Sequence, residues 1–320
     1  MKYIRLNTTD PYYNLAVEEY LFRSADDDVF MLWQNAPSVI VGKNQNVYAE
    51  VDLEYAEKNG INVCRRITGG GAVYHDLGNL NYTFISTRGD ASALDFEFFT
   101  RPIRNALSKL GIECDIGSRN DIECALGKFS GNAQHCEGGR ILHHGTLLFG
   151  SDFSVMESVL RVDKEKLAYR AVKSCRSRVV NLSELIKEKI TLSDFISSIE
   201  DSVCLELGAA VVPPPCCEEI DAIYERNKTK EWLYSDKRFL TNYSIERKKK
   251  YQFGLVKAQL EIERGLISRI TFSGDFFSTS PIEKLEAALL GTNPNRLPQI
   301  DPSPYIYGMS YAELCELLAQ

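Results

Sequence analysis

Apolar positions change their period several times along this chain, and each change marks a predicted element. Leu15, Val17 and Leu21 of LAVEEYLF (15–22) recur with helical spacing, with Asn14 as the expected cap. VFMLW (29–33) and SVIV (38–41) are short β-rich runs split by QNAP, which reads as a hairpin. NLNYTFI (79–85) alternates as a strand. Phe99, Ile103, Leu107 and Leu110 predict a helix over 96–110 closed by Gly111, although Pro102 would remove a hydrogen bond from its interior and favours a start near that proline. A second helix is expected from Leu192, capped by Thr191, with Ile196, Ile199, Val203 and Leu207 on one face. Three prolines in VVPPPCCEE (211–219) end it. Further on, Val256, Ala258, Leu260 and Ile262 alternate, Glu263-Arg264-Gly265 turns, and 266–272 returns. Helices near 281–290 and 310–318 close the chain.

These elements predict two domains in 320 residues, 1–245 and 246–320, the second a small α+β unit. Composition is that of an ordinary globular protein, 44% hydrophobic and 25% charged. No apolar run approaches the ~20 residues that span a bilayer. The opening MKYIRLNTTDPYYN has no signal-peptide pattern, so a cytoplasmic location with no membrane partner is expected. A net charge of −7 argues against nucleic-acid binding, which needs an excess of Lys and Arg on one face. The nine cysteines contain no CxxC and are expected to be reduced. There is no internal repeat or low-complexity tract.

Chemistry concentrates in RRITGGGAVYHDLGNLNYTFI (65–85). Gly69, Gly70 and Gly71 remove every Cβ from a short loop, so backbone amides can approach phosphate oxygens. On an extended segment Arg65 and Arg66 point to opposite sides, so one of them faces the loop. A glycine-rich turn beside two surface arginines is the plainer alternative. Neither the P-loop nor the GxGxxG fingerprint is present, so a nucleotide here would bind in neither of those folds. In GKFSGNAQHCEGGRILHHGTLLF (127–149), Lys128 is a compact cation suited to holding a carboxylate and a phosphate together, though most lysines simply sit in solvent. All four histidines, 75, 135, 143 and 144, fall between residues 75 and 144. Neighbours on a strand diverge, so pocket lining or a satisfied core ranks above a zinc site.

These residues resemble the lipoate-protein ligase family. RRITGGGAVYHDLGN is similar to its RRxSGGGAVxHDxGN, with Thr68 in place of serine. GSRNDI (117–122), KFSGNAQ, LHHGTLL, NLAVEEYLF (14–22), LWQNAPSVIVGKNQN (32–46) and RSRVVNLSEL (176–185) are similar to further motifs, and FGLVKAQLEIERGLI resembles the accessory domain more weakly. The resemblance implies an α+β catalytic domain with a central mixed sheet, related to biotin ligases and class II tRNA synthetases. It also implies two steps: lipoate and ATP give lipoyl-AMP, and a lysine of a lipoyl-domain acceptor then takes the lipoyl group. The implied acceptors are 2-oxoacid dehydrogenase acyltransferase subunits and the glycine-cleavage carrier protein. By matching positions, Arg66, Gly71, Ala72, Val73, Tyr74 and Lys128 would contact ATP. Lys128 would also hold the lipoate carboxylate, and His75, Trp33, Val17 and His144 would line the acyl pocket. Mg²⁺ would bridge phosphates, with Asp121 as its protein ligand or as the partner of Lys128; a loop-capping aspartate is the alternative. Octanoate is expected to fit the same pocket.

Two rival readings are an octanoyl- or lipoyltransferase using a cysteine nucleophile without ATP, and a non-catalytic lipoate-binding module. The first would place its cysteine near 115–118, where the chain reads Asp-Ile-Gly-Ser, with Cys114 and Cys124 out of register. The second would have lost Lys128 or the glycine loop. The run Arg247-Lys248-Lys249-Lys250 reads as a solvated charged face or as a docking patch for an acidic acceptor.

Overall fold

The computed structural model describes residues 1–87, 94–117, 120–161, 179–239 and 242–319. Ser118 and Arg119 of GSRND, Cys175, and residues 176–178 of RSRVVNLSEL lie outside the described residues.

Strands β1 (Lys2–Arg5) and β2 (Val29–Trp33) run parallel in a large sheet, while β3 (Ser38–Val41), β4 (Asn62–Arg65) and β5 (Val73–His75) form a smaller one in the order β4-β3-β5. The large sheet continues with β6 (Asn79–Ser86), β7 (Asp115–Ile116), β8 (Asp121–Cys124), β9 (Gly127–Glu137), β10 (Arg140–Leu148) and β11 (Ala210–Val211). Its order is β11-β1-β2-β6-β10-β9-β8-β7, parallel at the β11-β1-β2 end and antiparallel from β2 onward, a mixed sheet in an α+β fold as expected. Strands β12 (Ile245–Tyr251), β13 (Gly254–Glu263) and β14 (Leu266–Gly274) form an antiparallel meander near the C-terminus.

One face of the large sheet packs Phe30, Tyr82, Phe84 and Phe129 against helices Phe96–Lys109 and Leu192–Leu207. The other packs Met31, Trp33 and Leu142 against helix Pro11–Ser24 through Leu15, Val17 and Phe22. Strand β10 therefore sends His143 into the first layer and His144 into the second, as a period of two requires.

Three sequence expectations need correction. Asp10, not Asn14, caps the first helix: its Oδ1 accepts from Tyr12 N and Tyr13 N. Pro11 takes the first helical position, where a missing N–H costs nothing, and this sets the start upstream. Asn14 is buried a turn further in, donating to Thr8 O, Gln34 O and Asn35 Oδ1. The 29–41 pair is not a hairpin, since β2 lies between β1 and β6 and β3 between β4 and β5. Every residue of both strands is buried, so each needs neighbours on both edges, and QNAP crosses from one sheet to the other. The helix expected over 96–110 starts at Phe96, capped by Asp95, and keeps Pro102 inside. Burial of Phe99, Ile103, Ala106 and Leu107 offsets the ~3 kcal/mol that an interior proline costs.

Elsewhere pattern and structure largely agree. Thr191 and Asp194 form the expected reciprocal capping box, but Gly208, at φ 60°, ends that helix before β11, so the three prolines expected to end it lie beyond its end. Arg264 (φ 53°) and Gly265 (φ 78°) make the two-residue turn between β13 and β14. One face of that meander, with Tyr251, Val256, Ala258, Leu260 and Phe272, packs on helices Ile282–Leu289 and Tyr311–Leu318. The basic run lies on β12, so its side chains part. Lys249 pairs with Glu316 on the helix side, and Lys250 lies 3.6 Å from Asp275 on the other. It is not a single positive face.

Replacing Thr191 with Ala should lower the unfolding free energy by about 1 kcal/mol, the usual cost of losing such a cap. Urea denaturation measures it, and an unchanged midpoint would mean the capping box contributes nothing.

Candidate active site

The glycine loop joins β4 to β5 and is wrapped around one guanidinium. Arg66, 5% exposed, donates through Nη2 to Gly69 O (2.7 Å) and Gly71 O (2.8 Å), through Nη1 to Ile40 O (2.9 Å) and through Nε to Thr68 Oγ1 (2.8 Å). A trans peptide sets each carbonyl opposite the next N–H, so holding those two carbonyls inward turns the Gly70 and Ala72 amides outward. Gly70 sits at φ 89°, where a side chain would strain the backbone. Arg65 goes the other way, to Gly42 O, Lys43 O and Gln45 O at 2.8–3.0 Å and to Trp232 O and Leu233 O at 3.2 and 2.8 Å. Burial pushes the Arg65 guanidinium down to about 9 and that of Arg66 to about 10, so both stay charged at neutral pH. Neither is a surface arginine.

A chain of hydrogen bonds runs from the loop into the core. His144 Nε2 lies 2.9 Å from Thr68 Oγ1, and its Nδ1 lies 2.9 and 3.1 Å from the two oxygens of Glu18, which is 1% exposed. Thr83 Oγ1 donates to Glu18 (2.7 Å) and accepts from Trp33 Nε1 (2.9 Å). The Trp33 ring meets His75 edge-on at 6.2 Å, and His75 Nδ1 lies 3.1 Å from Asn35 Nδ2. Burial first, then Arg66 and His144, push His75 down to about 3, so it is neutral, and its Nε2 has no hydrogen-bond partner among the described residues. Val17 is fully buried in the same layer.

Lys128 stands on β9 with Nζ 2.7 Å from Asp121 Oδ1 and close over Gly131. Asn132 anchors this corner: its N and Nδ2 both donate to Asn120 O at 2.9 Å, and Tyr82 donates to its Oδ1. A Cβ on Gly145 would lie 2.2 Å from that Oδ1, which explains the glycine after His144. Cys114 is no activated thiol, because burial raises it to about 11.

A turn from the C-terminal unit covers the loop. Phe276 O accepts from Gly70 N (3.2 Å), Gly274 N donates to Asn44 O (2.9 Å), and a Cβ on Gly69 would lie 2.5 Å from Phe276 O. The Phe277 ring packs on Gly70 and stands 5.4 Å from that of Phe96.

The structure thus gathers Arg66, the loop through Gly71 and His144 into one network, with Trp33, Val17 and His75 beside it. Ala72 and Val73 lead from the loop into β5, and Tyr74 points into the small sheet's core. Lys128 and Asp121 form a separate pair, joined to the loop by no hydrogen bond or ion pair among the described residues. Sequence reasoning missed Glu18, Asn132 and Phe276. Glu18 had a signal: it occupies the buried register of its helix three residues from Leu15 and from Leu21, where a charge needs a reason. No group of three or more His, Cys, Asp or Glu able to hold a metal is present among the described residues.

Comparison with known proteins gives a consistent result. The family model described as lipoyl protein ligase A/B catalytic domain matches residues 10–204, and that of the bacterial lipoate protein ligase C-terminus matches 241–318. The chain is 38% identical over 293 residues to lipoate-protein ligase LplJ of Bacillus subtilis, covering 89% of this chain and 88% of that one. A crystal structure of P. falciparum LipL1 in complex with lipoate superposes with a TM-score of 0.77 at 25% identity, covering 91% and 90% of the two chains. A lipoate-protein ligase A bound with ATP gives 0.61 at 26% identity, covering 73% of this chain and 98% of that one.

His75 sets an acid limit on stability. Its folded value near 3 lies below the ~6.5 of an unfolded histidine, so between those values the unfolded chain binds more protons. Its contribution is complete above about pH 6.5 and is lost as pH falls toward 3. Urea midpoints at pH 7 and pH 5 should converge in His75→Asn relative to the parent; an identical pH slope in both would remove His75 from this role.

Proposed function

Because the chain belongs to the lipoate-protein ligase family, we propose that it adenylates lipoate with ATP and passes the lipoyl group to a lysine of lipoyl-domain acceptor proteins. The observation that carries this reading is the loop wrapped on Arg66, whose carbonyls at Gly69 and Gly71 are turned in to the guanidinium, so that the Gly70 and Ala72 amides face away from it. Adenylation brings a carboxylate onto an α-phosphorus, two anions that repel, so positioning and charge neutralisation are what the protein must provide. The loop amides and the charge of Arg66 serve the phosphates. On this reading Arg66 acts on ATP mainly by shaping the loop, since its donors already hold loop carbonyls and Thr68. Gly71, Ala72, Val73 and the backbone of Tyr74 lie along the nucleotide, while the Tyr74 side chain packs in the small sheet's core. Lys128 exchanges Asp121 for the lipoate carboxylate and the α-phosphate.

Val17, Trp33, His75 and His144 lie toward the acyl chain, and a neutral His75 suits an apolar tail. Mg²⁺ at such a site would need only one or two protein carboxylates. Asp121 is the residue that would help hold it, and the ion would supply charge neutralisation at the phosphates. Residues 1–245 carry both half-reactions and 246–320 act as the accessory unit. Acyltransferase subunits of 2-oxoacid dehydrogenases and the glycine-cleavage carrier are the acceptors, and the cytoplasm is the location. No described helix is long and apolar enough to cross a membrane.

A cysteine-dependent transferase is disfavoured by the site itself. Residues 115–117 carry no thiol, the Cys114 thiol is held protonated by burial, and Cys124 Sγ lies against Gly127 O at 3.5 Å.

Mass spectrometry of an apo-lipoyl domain incubated with lipoate, ATP, Mg²⁺ and this protein should show one lipoyl adduct, formed with release of pyrophosphate. Acyl transfer from a carrier without ATP would instead establish the transferase. Lys128→Ala should lower lipoate-dependent pyrophosphate release at least about 100-fold with the fold retained, as expected when a charged donor to the reacting groups is removed; near-normal release would take Lys128 out of the chemistry.

A further inference from the structure

We infer that Glu18 is a positioning residue, acting through His144 and Thr68 to fix the direction in which the glycine loop presents its amides. This rests on the ligase reading above and names the device behind its loop.

The donors at the two ends, Trp33 and Arg66, fix how the chain between them can run, and the His144 tautomer sets its middle. Trp33 Nε1 can only donate, so Thr83 Oγ1 accepts from it and passes its own proton toward Glu18. An ionised Glu18 can only accept, so the Nδ1 of His144 carries the proton in that contact. In the tautomer with its single proton on Nδ1, the ring leaves Nε2 as an acceptor for the Thr68 hydroxyl proton. Thr68 Oγ1 is thereby turned to accept from Arg66 Nε, whose Nη2 grips Gly69 O and Gly71 O. Two rows of donors, one from Trp33 and one from the loop, end on a single buried carboxylate. The geometry resembles an acid–histidine–hydroxyl triad, but Thr68 is fully buried and its oxygen already accepts from an arginine. Its work is orientation.

Without Glu18 the Nδ1 proton of His144 has no acceptor, and the ring can adopt the other tautomer. Nε2–H would then face Thr68 Oγ1 together with Arg66 Nε–H, leaving the hydroxyl proton without its acceptor. The plane of the Arg66 guanidinium is no longer set, and with it goes the outward aim of the Gly70 and Ala72 amides. The loss falls on ATP, because those amides are its donors, while a lipoyl-AMP already made needs less of them.

The test compares Glu18→Ala, Glu18→Gln, Thr68→Val and Thr68→Ser in the full chain. Lipoate-dependent ATP–pyrophosphate exchange gives KM for ATP and kcat, and transfer from synthetic lipoyl-AMP to an apo-lipoyl domain is measured alongside. Thr68→Val removes only the hydroxyl at equal volume and should raise the ATP KM about tenfold, with transfer from lipoyl-AMP changed less than threefold. Thr68→Ser should recover most of that loss. Glu18→Ala should match or exceed Thr68→Val, and Glu18→Gln, which keeps an acceptor for Nδ1, should fall between Glu18→Ala and the parent. If Glu18→Ala does not fold, the threonine pair decides. An unchanged ATP KM in Thr68→Val, equal losses in Val and Ser, or equal losses in both half-reactions would each overturn the inference. A parent protein without lipoate-dependent exchange would overturn the ligase reading instead.

Discussion

A guanidinium with almost no exposure to water holds this site together. Three consecutive glycines have little conformational preference and lose more entropy on ordering than any other residues would. Something must hold them, and Arg66 does so with four hydrogen bonds, two of them to loop carbonyls. The arrangement solves two problems together. A buried charge needs several acceptors, and a phosphate-binding loop needs its carbonyls turned away from the anion. Arg66 receives its acceptors from the groups that must be hidden. The cost is a desolvated cation, visible in the lowered pKa, and Glu18 is the nearby carboxylate that counters it.

The two sheets supply what the loop cannot. Arg65 and Arg66 part because they end a strand, so one binds the segment around Trp232 while the other builds the loop. His143 and His144 part for the same reason. One joins the ring stack with Phe99 at 5.2 Å, and the other reaches Glu18. At the far edge, Lys128 is placed by the β8–β9 pairing, with Asn132 tying the strand start to its neighbour. A rigid β framework therefore fixes both positive groups, which on the proposed reading the substrate bridges.

Much of this was legible in the sequence, and the limits have physical causes. Periodicity located the strands 29–33 and 38–41 and the helix from 192 because one residue's neighbours determine those features. It failed where the outcome depended on distant partners. The two strands look like a hairpin until the need of a doubly buried strand for two edges is counted, and Pro102 sits in a helix because a distant sheet covers it. The glycine loop stood out by residue type, whereas Arg66 and Lys128 were singled out only by the family resemblance. Glu18 was overlooked because an acidic pair on a helix usually faces water, and only tertiary contact reveals Thr83 and His144 around it. The basic run at 247–250 shows the same strand period, since Lys249 and Lys250 turn to different partners.

The contact between Phe276 and the loop adds a constraint on how the two units work together. An amide N–H has one hydrogen and serves one strong acceptor well. In this arrangement Gly70 N–H is given to the carbonyl of Phe276, with the Phe277 ring laid over the same glycine. On the proposed reading a phosphate oxygen needs that same hydrogen, so nucleotide at Gly70 and the present seat of the turn exclude one another. The exchange is nearly balanced in hydrogen bonds, and a doubly charged phosphate is the stronger acceptor. What the turn loses is apolar burial of Phe276 and Phe277, 0% and 4% exposed as they stand. On the proposed reading the C-terminal unit thus competes with ATP by hydrophobic contact against charge, and ATP would have to supply the difference from its own contacts with the loop.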